Sequence, residues 1–208
     1  MLNANLYTDR IDLARYLTKD ECMHAGVQGP EQLVDRLREG TLLPEDCLFF
    51  PPQKRYALSL AIRAQETLPQ VPSLQFPRPI TPNLFELNEP DPGAPVLVTG
   101  NSEFTLTVLT GLLALTVSPF YLLLVDCRGD TVDMAMVYAS FTAEHLNDAI
   151  TSHDLAVKVS HNRLIIPGFC GSLKEDMARE TGWEIMVGPV CAAELPLFFG
   201  DAWQGLPS

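Results

Sequence analysis

The sequence predicts an α/β fold: a Rossmann-like, mostly parallel sheet with flanking helices, preceded by a small helical N-terminal domain. Three observations lead there. Four short apolar runs in the second half, Val96-Leu97-Val98, residues 121–125, Leu164-Ile165-Ile166 and residues 184–187, each end in Gly, Asn, Asp or Pro. Between successive runs lie segments that read as helices or contain one, and alternation of strands with helices means parallel pairing. The stretch before residue 69 reads instead as short amphipathic helices, and eight of the seventeen prolines crowd into residues 69–95.

Taken in order, residues 11–16, 30–39 and 54–66 carry the helical readings of the first part. In Glu31-Gln32-Leu33-Val34-Asp35-Arg36-Leu37 the apolar positions recur three and four apart, and Gly40 suits a helix stop. The prolines at 69, 72, 77, 79, 82, 90, 92 and 95 exclude regular helix and fit an extended connector. The chain thus divides into a helical domain over 1–68, a connector over 69–94 and the α/β domain over 95–208. Within the last, strands are expected at 95–99, 120–126, 163–167 and 183–187, and helices at 103–116, 131–139, 142–151, 172–181 and 191–199. Ser172 and Glu175 stand at capping-box spacing, and Gly182 suits a helix end.

The bulk properties exclude several function classes. A hydrophobic share of 47% supports a sizeable core, and the net charge of -12 argues against nucleic acid or an anionic membrane as partner. Residues 104–125 are 22 in a row without a charge, long enough to cross a bilayer. Ser118-Pro119 interrupts them and five hydroxyl residues pepper them, so a buried helix, a turn and a buried strand explain them better. Five scattered cysteines, at 22, 47, 127, 170 and 191, together with a start that lacks an apolar signal core, fit a reducing cytoplasm.

No glycine-rich phosphate loop of either common pattern occurs, and His24, His145, His153 and His161 are isolated from one another. Nothing pairs Cys127 or Cys170 with a base at readable spacing, which argues against hydrolytic chemistry. What remains is the rim of the sheet. Open parallel sheets bind ligands just beyond the carboxyl ends of their strands. Those ends carry Thr99-Gly100-Asn101, Asp126, Pro167-Gly168 and Gly188-Pro189, with Thr105 early in the helix after the first.

Five segments in register sharpen this: Pro95 to Asn101, Tyr121 to Asp126, Phe141 to Glu144, His161 to Gly168 and Thr181 to Pro189. Together they resemble the corrinoid-binding C-terminal domain of the large subunit of the corrinoid iron–sulfur protein of acetyl-CoA synthesis, over about residues 94–200. The mercury-methylating corrinoid protein shares that domain. The resemblance implies a cobalamin held base-off, whose cobalt carries a methyl group, without the histidine of the D-x-H-x-x-G motif, which this chain lacks. It assigns Thr99, Gly100 and Asn101 to the first ligand loop, Asp126 to the second, and Pro167, Gly168, Gly188 and Pro189 to the loops around the nucleotide tail. Val132, Met134, Ala135 and Val137 fall where the family has a short cap helix, and read as an apolar floor beneath the corrin.

The N-terminal part resembles the same family's iron–sulfur module, which binds its cluster through C-x2-C-x4-C-x16-C. Cys22 and Cys47 match the first and last ligands, whereas Ala25 and Pro30 occupy the middle two. Two thiolates cannot hold a cluster that takes four, so no iron–sulfur cluster is expected. The resemblance therefore implies a methyl carrier served by corrinoid methyltransferases and by an external reductive activator. A cobalamin storage or delivery protein, and an interaction module that has lost the cofactor, are the alternatives.

Overall fold

Two apolar faces of one sheet organise the molecule. The computed structural model describes residues 3–73 and 76–206. Residues 74 and 75 of the expected connector, and the two residues at each end of the chain, lie outside the described residues. The helices of the first part are α1 (Lys19–His24), α2 (Pro30–Arg38), α3 (Pro52–Ile62) and α4 (Ala64–Thr67). The sheet comprises β1 (Leu84–Leu87), β2 (Val96–Gly100), β3 (Phe120–Val125), β4 (Arg163–Ile166) and β5 (Glu184–Val187). Between and after the strands come α5 (Glu103–Leu113), α6 (Val132–Val137), α7 (Ala143–Ser152), α8 (Leu155–Lys158), α9 (Lys174–Thr181) and α10 (Leu195–Phe199).

The strand order is β1-β3-β2-β4-β5. β2, β3, β4 and β5 pair in parallel, Val98 opposite Leu123 and Leu97 opposite Ile165. The expected Rossmann-like, mostly parallel arrangement is therefore present. Because successive strand side chains point to opposite faces, Val96, Val98, Leu123, Val125, Leu164 and Ile166 bury one face against Ala135, Leu146, Ile150 and Met177 of α6, α7 and α9. Leu97, Leu122, Leu124 and Ile165 bury the other against Val108, Leu112 and Leu195 of α5 and α10. Leu122, Leu123 and Leu124 are fully buried, which is why β3 reads as an unbroken apolar run.

The N-terminal helices share the second of these cores: Leu33, Leu37 and Leu58 join one apolar cluster with Leu97, Leu122 and Trp203. Residues 11–16 form no α-helix; short 3-10 turns stand at Thr8–Arg10 and Ala14–Tyr16. No side chain caps the turn at Ala14–Tyr16, whereas the next helix starts cleanly at Thr18, whose hydroxyl and the Glu21 carboxylate form a reciprocal capping box. The connector also supplies an unexpected strand. β1 pairs antiparallel with β3, at the edge, the position that a segment flanked by prolines can occupy.

Three local expectations change or hold in the second half. A 3-10 turn over Gly168–Leu173 takes the place of the expected start of the helix at 172. It buries Cys170 completely, and α9 begins after it with no side-chain cap, so the Ser172–Glu175 box does not form. Gly182 does end α9 in the left-handed region. The uncharged stretch divides into α5 and β3, and no helix among the described residues is long and apolar enough to cross a membrane.

A crevice at the carboxyl edge of the sheet

The chain leaves β2 through α5 to reach β3 on one side, then returns over the opposite face to β4 on the other. The loops leaving β2 and β4 thus diverge, and a crevice opens between them. It encloses about 320 Å³. Thr99 comes from β2, Thr105 and Val108 from α5, Thr131, Val132 and Met134 from the start of α6, and Pro167, Gly188 and Pro189 from the ends of β4 and β5. The walls are mainly apolar, with a few hydroxyls to orient a ligand, the usual make-up of a small-molecule site.

Of the residues that the sequence singles out, Thr99, Thr105, Val132, Met134, Pro167, Gly188 and Pro189 therefore meet in one place. The others do not line it, for identifiable reasons. Asn101 is buried, and its side chain is fully used: Nδ2 donates to the Ile80 carbonyl and to Asp126, while Oδ1 accepts from the backbone of Cys127 and Gly129. Asp126 also accepts from the Arg128 amide, at 2.9 Å. Gly100 lies against Cys127, whose Sγ would be 3.3 Å from an added Cβ.

Over this network runs the connector. The Arg78 amide donates to Gly129, the Ile80 amide to Asn101, and the Arg78 carbonyl accepts from Glu103. Gly129 has φ +80°, and a Cβ there would sit 2.2 Å from the Pro79 nitrogen. Gly168 plays a comparable part on the other side, since a Cβ would come within 2.7 Å of the Val190 amide nitrogen. It lets the loops after β4 and β5 close on each other, its amide donating to the Pro189 carbonyl at 3.0 Å.

α6 splits along its length. Val132 and Ala135 turn inward, at 8% and 0% exposure, whereas Met134 and Val137, three positions apart, face outward at 37% and 73%. Only the first two are part of the core beneath the crevice; Met134 sits at its wall.

Sequence reasoning missed one wall of the crevice, which the N-terminal segment supplies. Residues Ala4 to Tyr7 lie along the crevice. The Tyr7 phenol donates to Asp133 at 2.5 Å, and its ring meets Phe169 edge-on, centroids 4.7 Å apart. Burial pushes Tyr7 up to about 12, and the hydrogen bond to Asp133 adds to the shift. Burial alone would raise the Asp133 carboxyl, but hydrogen bonds from Thr131 and Tyr7 outweigh it and hold the group below the usual aspartate range. No spacing rule links Tyr7 to a residue 126 positions away.

The cysteines behind the site are buried thiols. Burial pushes Cys127 and Cys170 up to about 12 and Cys191 to about 11, so all three stay protonated and unreactive at neutral pH. His145 Nδ1 lies 2.9 Å from the Ser140 carbonyl and His161 Nε2 lies 3.0 Å from that of Ala94, both structural contacts. The residues that line the crevice, among those described, include no histidine. Cys22 and Cys47 are buried in the helical part, where burial raises both thiols, and no group of His, Cys, Asp and Glu suited to a metal occurs among the described residues.

Residues 52–199 match the family described as "CO dehydrogenase/acetyl-CoA synthase delta subunit". The gamma subunit of the acetyl-CoA decarbonylase/synthase complex of Methanopyrus kandleri is 35% identical over 122 residues, 59% of this chain and 26% of the relative. Its counterpart in Methanocaldococcus jannaschii is 26% identical over 199 residues, 91% of this chain and 40% of the relative. The corrinoid/iron-sulfur protein large subunit of Moorella thermoacetica is 36% identical over 124 residues, 60% of this chain and 28% of the relative. The chain thus spans between 26% and 40% of the length of these relatives.

Proposed function

The chain belongs to the CO dehydrogenase/acetyl-CoA synthase delta subunit family, and from that premise we propose that it binds a corrinoid and serves as a methyl-group carrier in one-carbon metabolism. The observation that carries this reading is the gathering of Thr99, Pro167, Gly188 and Pro189, from three strand ends, at the one place where the strand order reverses. The Moorella relative is named a corrinoid protein, and its 36% identity supports transfer of that role.

The residues present fit such a group in part. Hydroxyls of Thr99, Thr105 and Thr131 on otherwise apolar walls suit a nucleotide tail entering between β2 and β4. The outward Met134 and Val137 offer an apolar surface next to the mouth for a macrocycle. When bound, the cofactor supplies the metal centre that takes up and releases the methyl group. The chain's own contribution is to orient that centre and shield one side of it from water, while separate methyltransferases supply donor and acceptor.

Cys22 and Cys47, with Ala25 and Pro30 at the positions between them, leave no internal electron relay in this reading, so reactivation depends on an external reductase. The test is reconstitution with hydroxocobalamin, followed by the visible spectrum and by methyl exchange with a corrinoid methyltransferase. A base-off spectrum with exchange is expected. Binding without exchange identifies a storage or delivery protein, and no binding identifies an interaction module. Iron and sulfide assays on anaerobically purified protein are expected to find no cluster.

A further inference from the structure

We propose that Tyr7 is a latch that holds residues 4–7 shut across the crevice and so gates the entry of a large ligand. This rests on the functional reading above. The crevice has two sides, the start of α6 and the turn after β4, and Tyr7 bridges them. Its phenol donates to Asp133 of α6 at 2.5 Å, and its ring packs edge-on against Phe169 of the turn at 4.7 Å. The carboxylate that receives it is fixed from the other side, where Thr131 Oγ1 donates to the second oxygen, also at 2.5 Å.

The segment that delivers Tyr7 is tied at its start and packs Ala4 and Leu6 against the core. Ala4, Leu6 and Tyr7 are half-buried and none is fully buried. The Ala4 amide donates to the Val71 carbonyl at 3.0 Å, Asn3 bridges Pro72, and the Tyr7 amide donates to Asn5 Oδ1 at 2.8 Å. Tyr7 itself stands at φ 56°, a left-handed conformation that costs energy in a tyrosine. The backbone ties fix the start of the segment, and the side-chain contacts to Asp133 and Phe169 offset the strain at Tyr7.

Size makes the latch consequential. With the segment in place the crevice encloses about 320 Å³, the lower end of what drug-sized ligands occupy. Residues 4–7 form part of the wall of this crevice, so a nucleotide tail that fills it, with its macrocycle at the mouth, has to be admitted past them. A ligand that binds only the open form sees its apparent association lowered by the fraction of molecules that are open.

The experiment uses the full chain with Tyr7→Phe and Asp133→Asn, singly and together. In ligand-free protein, chymotryptic cleavage after residue 7 reads the opening, since the protease accepts Phe as readily as Tyr. Loss of a hydrogen bond to a charged acceptor should raise that rate about tenfold in Tyr7→Phe. A smaller rise is expected in Asp133→Asn, and the double variant should match Tyr7→Phe alone. Stopped-flow association of hydroxocobalamin should accelerate by the same factors. Unchanged cleavage in the variants overturns the latch. Faster cleavage with unchanged cobalamin association overturns the gating. If neither wild type nor variants bind cobalamin while cleavage still accelerates, the latch stands and the corrinoid reading falls.

Discussion

Beyond β2 and β3 the carboxyl edge of the sheet is filled: Asn101 staples the loop after β3, and the connector crosses over it through Arg78 and Ile80. Beyond β2 and β4 the same edge is open, and the loops there bound a crevice instead of each other's polar groups. Both halves present Gly, Asn, Asp or Pro after an apolar strand. What separates them is where the chain goes next. The β3 loop is tied to the β2 loop through Asn101, whereas the chain after β2 heads through α5 toward β3 and the chain after β4 heads through α9 toward β5, so those two loops part. Loop residues of the same type thus act as structural staples in one half and as candidate ligand contacts in the other.

The strongest way to break this comparison is Asn101→Ala. The substitution leaves two buried amides, those of Cys127 and Gly129, without their acceptor, and the Ile80 carbonyl without its donor. At about 1–3 kcal/mol for each buried group left unpaired, a loss on the order of 3 kcal/mol or more is expected in urea unfolding. A loss below about 1 kcal/mol would show that the closed half is not held by this residue.

Gly129→Ala and Gly168→Ala sharpen the comparison, because each sets a Cβ against backbone in one half. The first forces apart the connector and the β3 loop, in a residue at positive φ, and the second moves the wall formed by Pro189 and Val190. Each should cost about 2 kcal/mol. Only the second should weaken cobalamin binding, as measured by absorbance titration, and an equal weakening in both would dissolve the distinction between the halves.

A smaller, pH-dependent effect tests the open half. The Asp133 carboxyl is held below its ordinary value near 3.8, so its stabilising contribution is complete above that value and is lost below it, as pH falls through the lowered value of the folded protein. The Tyr7 partner keeps its proton up to about 12 and imposes no further limit below that. The difference in unfolding midpoint between wild type and Asp133→Asn should therefore be present at pH 7 and vanish in acid. A difference that persists unchanged below the carboxylate range would remove Asp133 from the wall's support.

The smallest expected effect is that of Met134→Leu. Met134 is 37% exposed and the swap conserves volume, so stability should change by less than about 0.5 kcal/mol. The visible spectrum of reconstituted protein should also stay the same. A shifted spectrum would make the thioether a ligand of the metal and the outward face of α6 more than apolar surface.

Much of this was legible in the chain itself. The four parallel strands, their helices and the ligand edge follow from local patterns, since side-chain periods of two and about four residues are properties of the backbone alone. β1 was not legible, because four residues between prolines carry too little pattern to distinguish an edge strand from extended linker. The 3-10 turn at Gly168–Leu173 was hidden by a capping-box match that the burial of Cys170 overrides.

The sequence by itself determined that Thr99, Asn101, Asp126, Pro167, Gly168, Gly188 and Pro189 stand at strand ends. Only the tertiary structure decided which of them face a crevice and which seal an edge, because that depends on neighbours brought from far along the chain. Asn101 is spent on Ile80 and on the loop 26 to 28 residues later. The open crevice is bridged by Tyr7 from 126 residues away. Such pairings are set by the strand order and by how the N-terminal segment packs, and no local period encodes either.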